Sequence, residues 1–218
     1  MSDSEQLPMV DLKPAWISPG RTALCVIDVQ VDFASSEGLL GQYGIDMRGL
    51  EPCFDNINRL IASARSVDIP IIFIALKTQA ATDSQAWKLW MQRQGRDADA
   101  DSAICRQGEA GAEFYYCLPQ PGDLIIEKAR YSAFWQTDFS KLLQQQAIDT
   151  LVVTGITTEC CVESTVRDAF HHDYHVFLPV DACAAYDDKM HTASLKAMAM
   201  NCALLSSTQA IEHAWSQP

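Results

Sequence analysis

The sequence predicts an α/β domain of doubly wound, three-layer, Rossmann-like architecture, built on a mostly parallel sheet of about six strands. Three observations predict it. Five short runs are apolar without alternation, helical stretches lie between them, and 218 residues suit one sizeable domain better than two. A strand covered by helices on both faces needs apolar side chains on both, so its sequence loses the period-two alternation of a half-exposed strand.

The elements follow in order. The first twenty residues carry Pro8, Pro14, Pro19 and Gly20 and read as an irregular arm, 1–20, on a single domain spanning 1–218. Thr22 to Ile27 is the first apolar run. Leu50 to Val67 sets Phe54, Ile57, Leu60, Ile61 and Ala64 at helical spacing, and Ile71 to Leu76 is the next strand. The long segment from Lys77 to Pro121 breaks the alternation and reads as an insertion near the site. Leu124-Ile125-Ile126, Leu151-Val152-Val153 and His175 to Leu178 are further strands, with Ala203-Leu204-Leu205 a weaker sixth. Between them, Phe139, Leu142 and Leu143 form one apolar stripe. Val162, Val166, Ala169 and Phe170 mark the buried face of a helix opening near Thr158, and Met190 to Met200 is a last helix.

Composition narrows the function. Lys and Arg total 16 against 28 Asp and Glu, a net charge of −12, so the chain repels phosphate and is a poor partner for nucleic acid or an anionic membrane. No apolar stretch is long enough to span a bilayer, and Met1 to Val10, with Asp3 and Glu5, is unlike a signal peptide. A cytoplasmic protein is expected. Its eight cysteines, with no Cys-x-x-Cys among them, then read as reduced thiols rather than a disulfide framework.

Ligands of an open parallel sheet bind outside the carboxyl ends of its strands. The first strand delivers Asp28, then Gln30, Asp32 and Phe33. The third ends at Glu127-Lys128. The fourth runs into Gly155-Ile156-Thr157-Thr158-Glu159-Cys160-Cys161. An acid, an ammonium and a thiol thus converge. A thiol becomes a nucleophile on ionising, which a helix start and a nearby Lys both favour; a carboxylate can take its proton and return it to a leaving amine. Helix-start N–H groups can hold an oxyanion. The combination suits acyl transfer on an amide. Spacing does not choose between Cys160 and Cys161, which lie about 100° apart in one helical turn.

These residues sit in three blocks: Ala23 to Phe33; Lys128-Ala129-Arg130-Tyr131-Ser132-Ala133-Phe134-Trp135-Gln136-Thr137-Asp138; and Gly155 to Thr165, continuing to Asp181-Ala182. Together they resemble the isochorismatase-like hydrolases, a cysteine hydrolase superfamily, from about Thr22 to about Asp187. The resemblance implies a triad of Asp28, Lys128 and Cys161, because Gly155, Thr158 and Val162 match the family pattern Gly-x-x-Thr-x-x-Cys-Val. Cys160 becomes a packed neighbour. It also implies a cis peptide between Ile156 and Thr157, and an oxyanion hole from the Thr157 and Cys161 N–H groups.

Family members that cleave an enol ether lack this cysteine, so C–N cleavage is implied. Nicotinamidase-like members carry Asp-x-His after the second strand, whereas this chain reads Lys77-Thr78-Gln79-Ala80-Ala81-Thr82-Asp83, so no metal and no cofactor are expected. His171 and His175, four apart, lack a third ligand, and all five histidines read as surface residues. The Lys128 block is closest to the ureide and carbamoyl branch, which acts on substrates of the biuret, ureidoacrylate and N-carbamoyl type. Phe33, Tyr131, Phe134 and Trp135 could wall the pocket or form core or a subunit interface, and Arg130 could meet a substrate carboxylate. A homo-oligomer is implied. The competing readings are a nicotinamidase- or maleamate-type amidase of the same superfamily and a non-catalytic α/β binding protein. Nucleotide binding is weaker still, for lack of a Gly-x-Gly-x-x-Gly after the first strand.

Overall fold

The computed structural model describes residues 6–217; Met1 to Glu5, with the acidic start noted above, and Pro218 lie outside the described residues. Seven strands make one sheet: β1 (Thr22–Ile27), β2 (Ile71–Leu76), β3 (Leu124–Lys128), β4 (Thr150–Ile156), β5 (His175–Pro179), the two-residue β6 (Cys183–Ala184) and β7 (Leu204–Ser206). Six follow the order β3-β2-β1-β4-β5-β7, while β6 pairs with β4. Every pairing is parallel.

Both faces of the central strands are covered, as their unbroken apolar runs require. Ala23, Cys25 and Ile27 of β1 face one core, together with Ile72, Ile74, Leu151 and Val153. Leu24 and Val26 face the other, with Ile71, Phe73 and Val152. The first core is closed by α6 (Phe139–Gln145), α7 (Glu163–His171) and α8 (Asp188–Asn201). The second is closed by α3 (Glu51–Ser66) and α9 (Thr208–Trp215). Phe54, Ile57, Leu60, Ile61 and Ala64 of α3 are all buried. Each larger apolar side chain so buried contributes about 1.5–3 kcal/mol.

Two expectations need correction. Phe170 shares the stripe of Val166 and Ala169 but is 50% exposed, in the last turn of α7, which ends at His171. β3 extends two residues beyond its apolar run and alternates, with Ile125 and Glu127 exposed and Ile126 and Lys128 buried, since it is the edge strand. The arm is docked: Val10 N–H donates to the Leu205 carbonyl, and Trp215 Nε1 donates to that of Ile17. Lys77 to Pro121 contains α4 (Gln85–Arg93) and α5 (Ala98–Ser102), and with the short α1 (Val31–Ala34) and α2 (Leu39–Gln42) it builds one flank of the sheet's carboxyl edge.

Candidate active site

Asp28 follows β1 directly and is 1% exposed. Its backbone turns to φ 53°, which swings the chain across the sheet edge. Leu76 N–H donates to its Oδ1 at 3.1 Å, and Lys128 Nζ donates to its Oδ2 at 2.7 Å. Lys128 closes β3, two strands away. The order β3-β2-β1 sets Asp28 and Lys128 on either side of the β2 end, so the lysine reaches across it. The Lys128 side chain is fully buried.

An ammonium has three protons to donate. Those of Lys128 meet Asp28 Oδ2, the Arg130 carbonyl at 3.1 Å, and Cys161 Sγ at 3.5 Å. Burial alone pushes this ammonium down, but the Asp28 carboxylate and the Cys161 sulfur outweigh it and hold its pKa above the usual lysine range. At Cys161 the adjacent Cys160 sulfur, burial and the Asp28 carboxylate push the thiol well up, against Lys128. The sulfur and the Asp28 carboxylate share the Lys128 ammonium, which sets a proton acceptor close to the thiol.

Cys161 rides on a π turn, Thr158–Val162, ahead of α7. The Thr157 carbonyl accepts the N–H groups of Cys160 and Val162, on either side of Cys161. The Ile156–Thr157 peptide is cis, as the resemblance implied. Gly155 has φ +117°, and a Cβ there would lie 2.1 Å from the Ile27 carbonyl oxygen; only glycine lets β4 end against the residue before Asp28. The three residues read from the sequence as a triad are thus brought together. Cys160 is half-buried beside Cys161, and the 3.5 Å contact of Lys128 falls on the Cys161 sulfur.

The expected pocket residues divide. Phe33 is partly buried among core residues of the flank, and Tyr131 and Trp135 are 45% and 42% exposed. The Arg130 guanidinium lies over the Trp135 ring at 5.0 Å. Phe134 does not belong with them. It packs on Phe139 at 4.7 Å and Tyr174 at 5.8 Å and stacks on His172, so it anchors the Lys128 loop to the core behind the site. Of the five histidines, four are exposed, but His191 is half-buried with Nδ1 2.8 Å from Thr158 Oγ1, and burial, opposed by Asp188, pushes its imidazole below the usual range.

Several site neighbours had no role assigned to them from the sequence. Gln30, fully buried, donates from Nε2 to the Leu76 and Ala112 carbonyls and accepts the Leu76 N–H. The Tyr186 hydroxyl donates to the Phe33 carbonyl at 2.6 Å, and burial with nearby Glu159 and Cys161 raises its pKa, so the phenol stays protonated. Thr165 Oγ1 donates to the Cys161 carbonyl and accepts the Ala133 N–H, tying the Cys161 turn to the Lys128 loop. Glu159 Oε2 is buried with no hydrogen-bond partner among the described residues. A groove of about 530 Å³ lies elsewhere, at the amino ends of β5 and β7, and touches none of the triad.

No group of three His, Cys, Asp or Glu residues among those described is placed to hold a metal ion. No helix among them is long and apolar enough to cross a membrane. A family model for the isochorismatase domain matches residues 22–210. The chain is similar to the ureidoacrylate amidohydrolase RutB of Methylobacterium radiotolerans, with 32% identity over 216 residues, 94% of this chain and 84% of that protein. A cysteine hydrolase from Pseudomonas syringae pv. phaseolicola 1448A has the same fold, with a TM-score of 0.83 at 24% identity over 95% of this chain and 97% of the other. So does the pyrazinamidase of Pyrococcus horikoshii in complex with zinc, with a TM-score of 0.71 at 24% identity over 86% and 99%.

Proposed function

The chain belongs to the isochorismatase family, and from that membership we propose that it is a cysteine-dependent amidohydrolase that cleaves a C–N bond of a small linear ureide or carbamoyl compound. The observation that carries the reading is the buried lysine that donates at once to the Asp28 carboxylate and the Cys161 sulfur. A structural ion pair has no use for a thiol as third partner, whereas acyl transfer needs all three groups.

In the proposed reaction Asp28 takes the Cys161 proton as the sulfur attacks the carbonyl carbon. Lys128 holds both groups and offsets the negative charge that forms on sulfur. The Thr157 and Cys161 N–H groups receive the oxyanion. As the tetrahedral intermediate collapses, the C–N bond breaks and Asp28 returns the proton to the leaving nitrogen, which departs as ammonia or an amine. Water, deprotonated by Asp28, then hydrolyses the thioester and frees the thiol.

Two features support a ureide over a plain amide, and a third suits an acidic substrate of either kind. The relative matched over 94% of this chain is a ureidoacrylate amidohydrolase. Glu159, two residues before the nucleophile, has an oxygen in want of a donor, and a ureide carries N–H on both sides of its carbonyl. Arg130, backed by Trp135, suits a substrate carboxylate at the rim, with Phe33 and Tyr131 as further walls. We read 1–218 as a single domain with 1–20 as its arm, and as a homo-oligomer. Its eight unpaired cysteines suit the reducing cytoplasm.

The test is ammonia release from biuret, ureidoacrylate, N-carbamoyl amino acids, nicotinamide and maleamate. The ureides are expected to turn over fastest. Cys161→Ala is expected to lower kcat/KM by at least about 10⁴-fold, and Cys160→Ala to stay within about threefold. The opposite pattern would assign the chemistry to the wrong thiol.

A further inference from the structure

We propose that His191 is a positioning residue for the nucleophile: through Thr158 it fixes the turn that aims Cys161 at Lys128 and Asp28. The inference rests on Cys161 being the attacking group. A π turn closes wider, i→i+5 rings than an α-helix and is found mostly as single turns, frequently at functional sites. Here Val162 N–H reaches back to the Thr157 carbonyl, and Glu163 N–H to that of Thr158. Cys161 lies three residues into this segment from Thr158, with a 3.5 Å contact to Lys128 to keep.

The restraint comes from α8, about thirty residues on. Thr158 opens the turn and is fully buried. Its hydroxyl lies 2.8 Å from His191 Nδ1. Its carbonyl also accepts from the Ser194 hydroxyl at 3.2 Å, which is shared with Glu163 Oε2 at 2.5 Å. His191 and Ser194 are three apart, hence on one helix face. That face grips both polar groups of the first turn residue. Thr158 follows Thr157, whose N–H is proposed to hold the oxyanion, and precedes Cys161 by three. A shift of Thr158 therefore moves nucleophile and oxyanion donor together. A displacement of about 1 Å at such a centre costs on the order of a hundredfold in rate.

Such a role makes a distinct signature, because the effect falls on the chemical step and not on substrate affinity. His191→Ala is expected to lower kcat at least about tenfold, with KM within about twofold, and His191→Asn, whose amide reaches the position of Nδ1, to recover most of the loss. The His191→Ala/Thr158→Val double variant is expected to be no slower than the worse single, because both remove one contact. The rate at which iodoacetamide alkylates Cys161, mapped by mass spectrometry, should fall in step with kcat. A rise in KM at constant kcat, equal rates for the Ala and Asn variants, or additive losses would overturn the proposal. If the wild type hydrolyses no amide, the amidohydrolase reading fails by itself, and alkylation decides for His191: slowed by Ala and restored by Asn in support, unchanged in refutation. Should His191→Ala not fold, Thr158→Val against Thr158→Ser takes its place, the serine keeping the hydroxyl and, if the proposal holds, the rate.

Discussion

Lys128 concentrates the contacts of the candidate site in one side chain. Each of its three protons has an acceptor, and none is water, so the ammonium cannot leave without stranding Asp28 as a buried, unpaired carboxylate. Removing one member of such a pair costs about 3–5 kcal/mol, whereas removing both costs far less. Lys128→Met is therefore expected to lower unfolding stability in urea by that order, and Asp28→Asn/Lys128→Met to recover part of it, with neither variant active. The pH dependence follows from the shifts. The Lys128 pKa is raised in the fold, so its contribution is full below the ordinary lysine value of 10.5 and is lost as the pH rises beyond it. His191 is shifted down, so the folded state binds fewer protons than the unfolded one, and stability falls as the pH drops below 6.5. His191→Asn should flatten that acid slope in a pH series of urea melts; an unchanged slope would place the titration elsewhere. The cluster of Asp28, Lys128 and Cys161 was legible because each member ends a strand or opens a helix inside a recognisable block. Tyr186 and His191 were not, because each reaches the site from a distant element through one hydrogen bond, and a lone Tyr or His has no pattern to announce it.

At the scale of elements, two close approaches hold the site together. The first is β1 against β4, where Gly155 faces the Ile27 carbonyl. Gly155→Ala puts a methyl group inside that oxygen's radius at a φ that L-residues avoid. It is expected to cost at least about 2 kcal/mol and to abolish activity, because Ile27 precedes Asp28. The second is the Lys77–Pro121 flank against the β1 end. Asp32, 8% exposed, accepts the Leu39 N–H on Oδ1 and the Cys105 N–H on Oδ2. A Cβ on Gly111 would lie 2.2 Å from the same carboxylate. Asp32→Asn turns one acceptor into a donor facing a donor, worth about 1–3 kcal/mol, and should release the flank to limited proteolysis between α4 and β3 before the sheet unfolds. From sequence, this flank could be recognised only as an interruption of the strand–helix alternation. Its order comes from long-range hydrogen bonds between its backbone and the side chains of Gln30 and Asp32, which leave no periodicity. The same limit explains Phe134: an aromatic residue within a motif reads alike whether it lines a pocket or packs behind one, and only the positions of Phe139 and Tyr174 decide.

At the scale of the whole molecule, the strand order places the chemistry. From β1 the sheet grows one way through β2 to β3 and the other way through β4 to β5 and β7, so loops leave β1 and β4 in opposite directions and open a crevice between them. Asp28 leaves β1 and Cys161 follows β4, so the acid and the thiol meet there by topology. This much was legible, since parallel strands buried on both faces announce themselves as unbroken apolar runs. The metal question is not decided by the fold, because the zinc-bearing pyrazinamidase shares it. It turns on the donors this chain offers. Beyond β2 come Lys77, Thr78 and Gln79; Lys77 Nζ donates to the Ala112 carbonyl, and the Thr78 hydroxyl donates to that of Ile104. These are a cation and a donor already engaged, where zinc needs neutral imidazole, thiolate or carboxylate. With Lys128 supplying the positive charge beside the nucleophile, the proposed reaction has a resident counterpart to a Lewis acid. Ammonia release is therefore expected to be unchanged after exhaustive dialysis against EDTA and after zinc is added back. A loss in EDTA restored by zinc would mean that the carbonyl is polarised by a metal, and the roles given to Lys128 and the turn N–H groups would have to be reassigned.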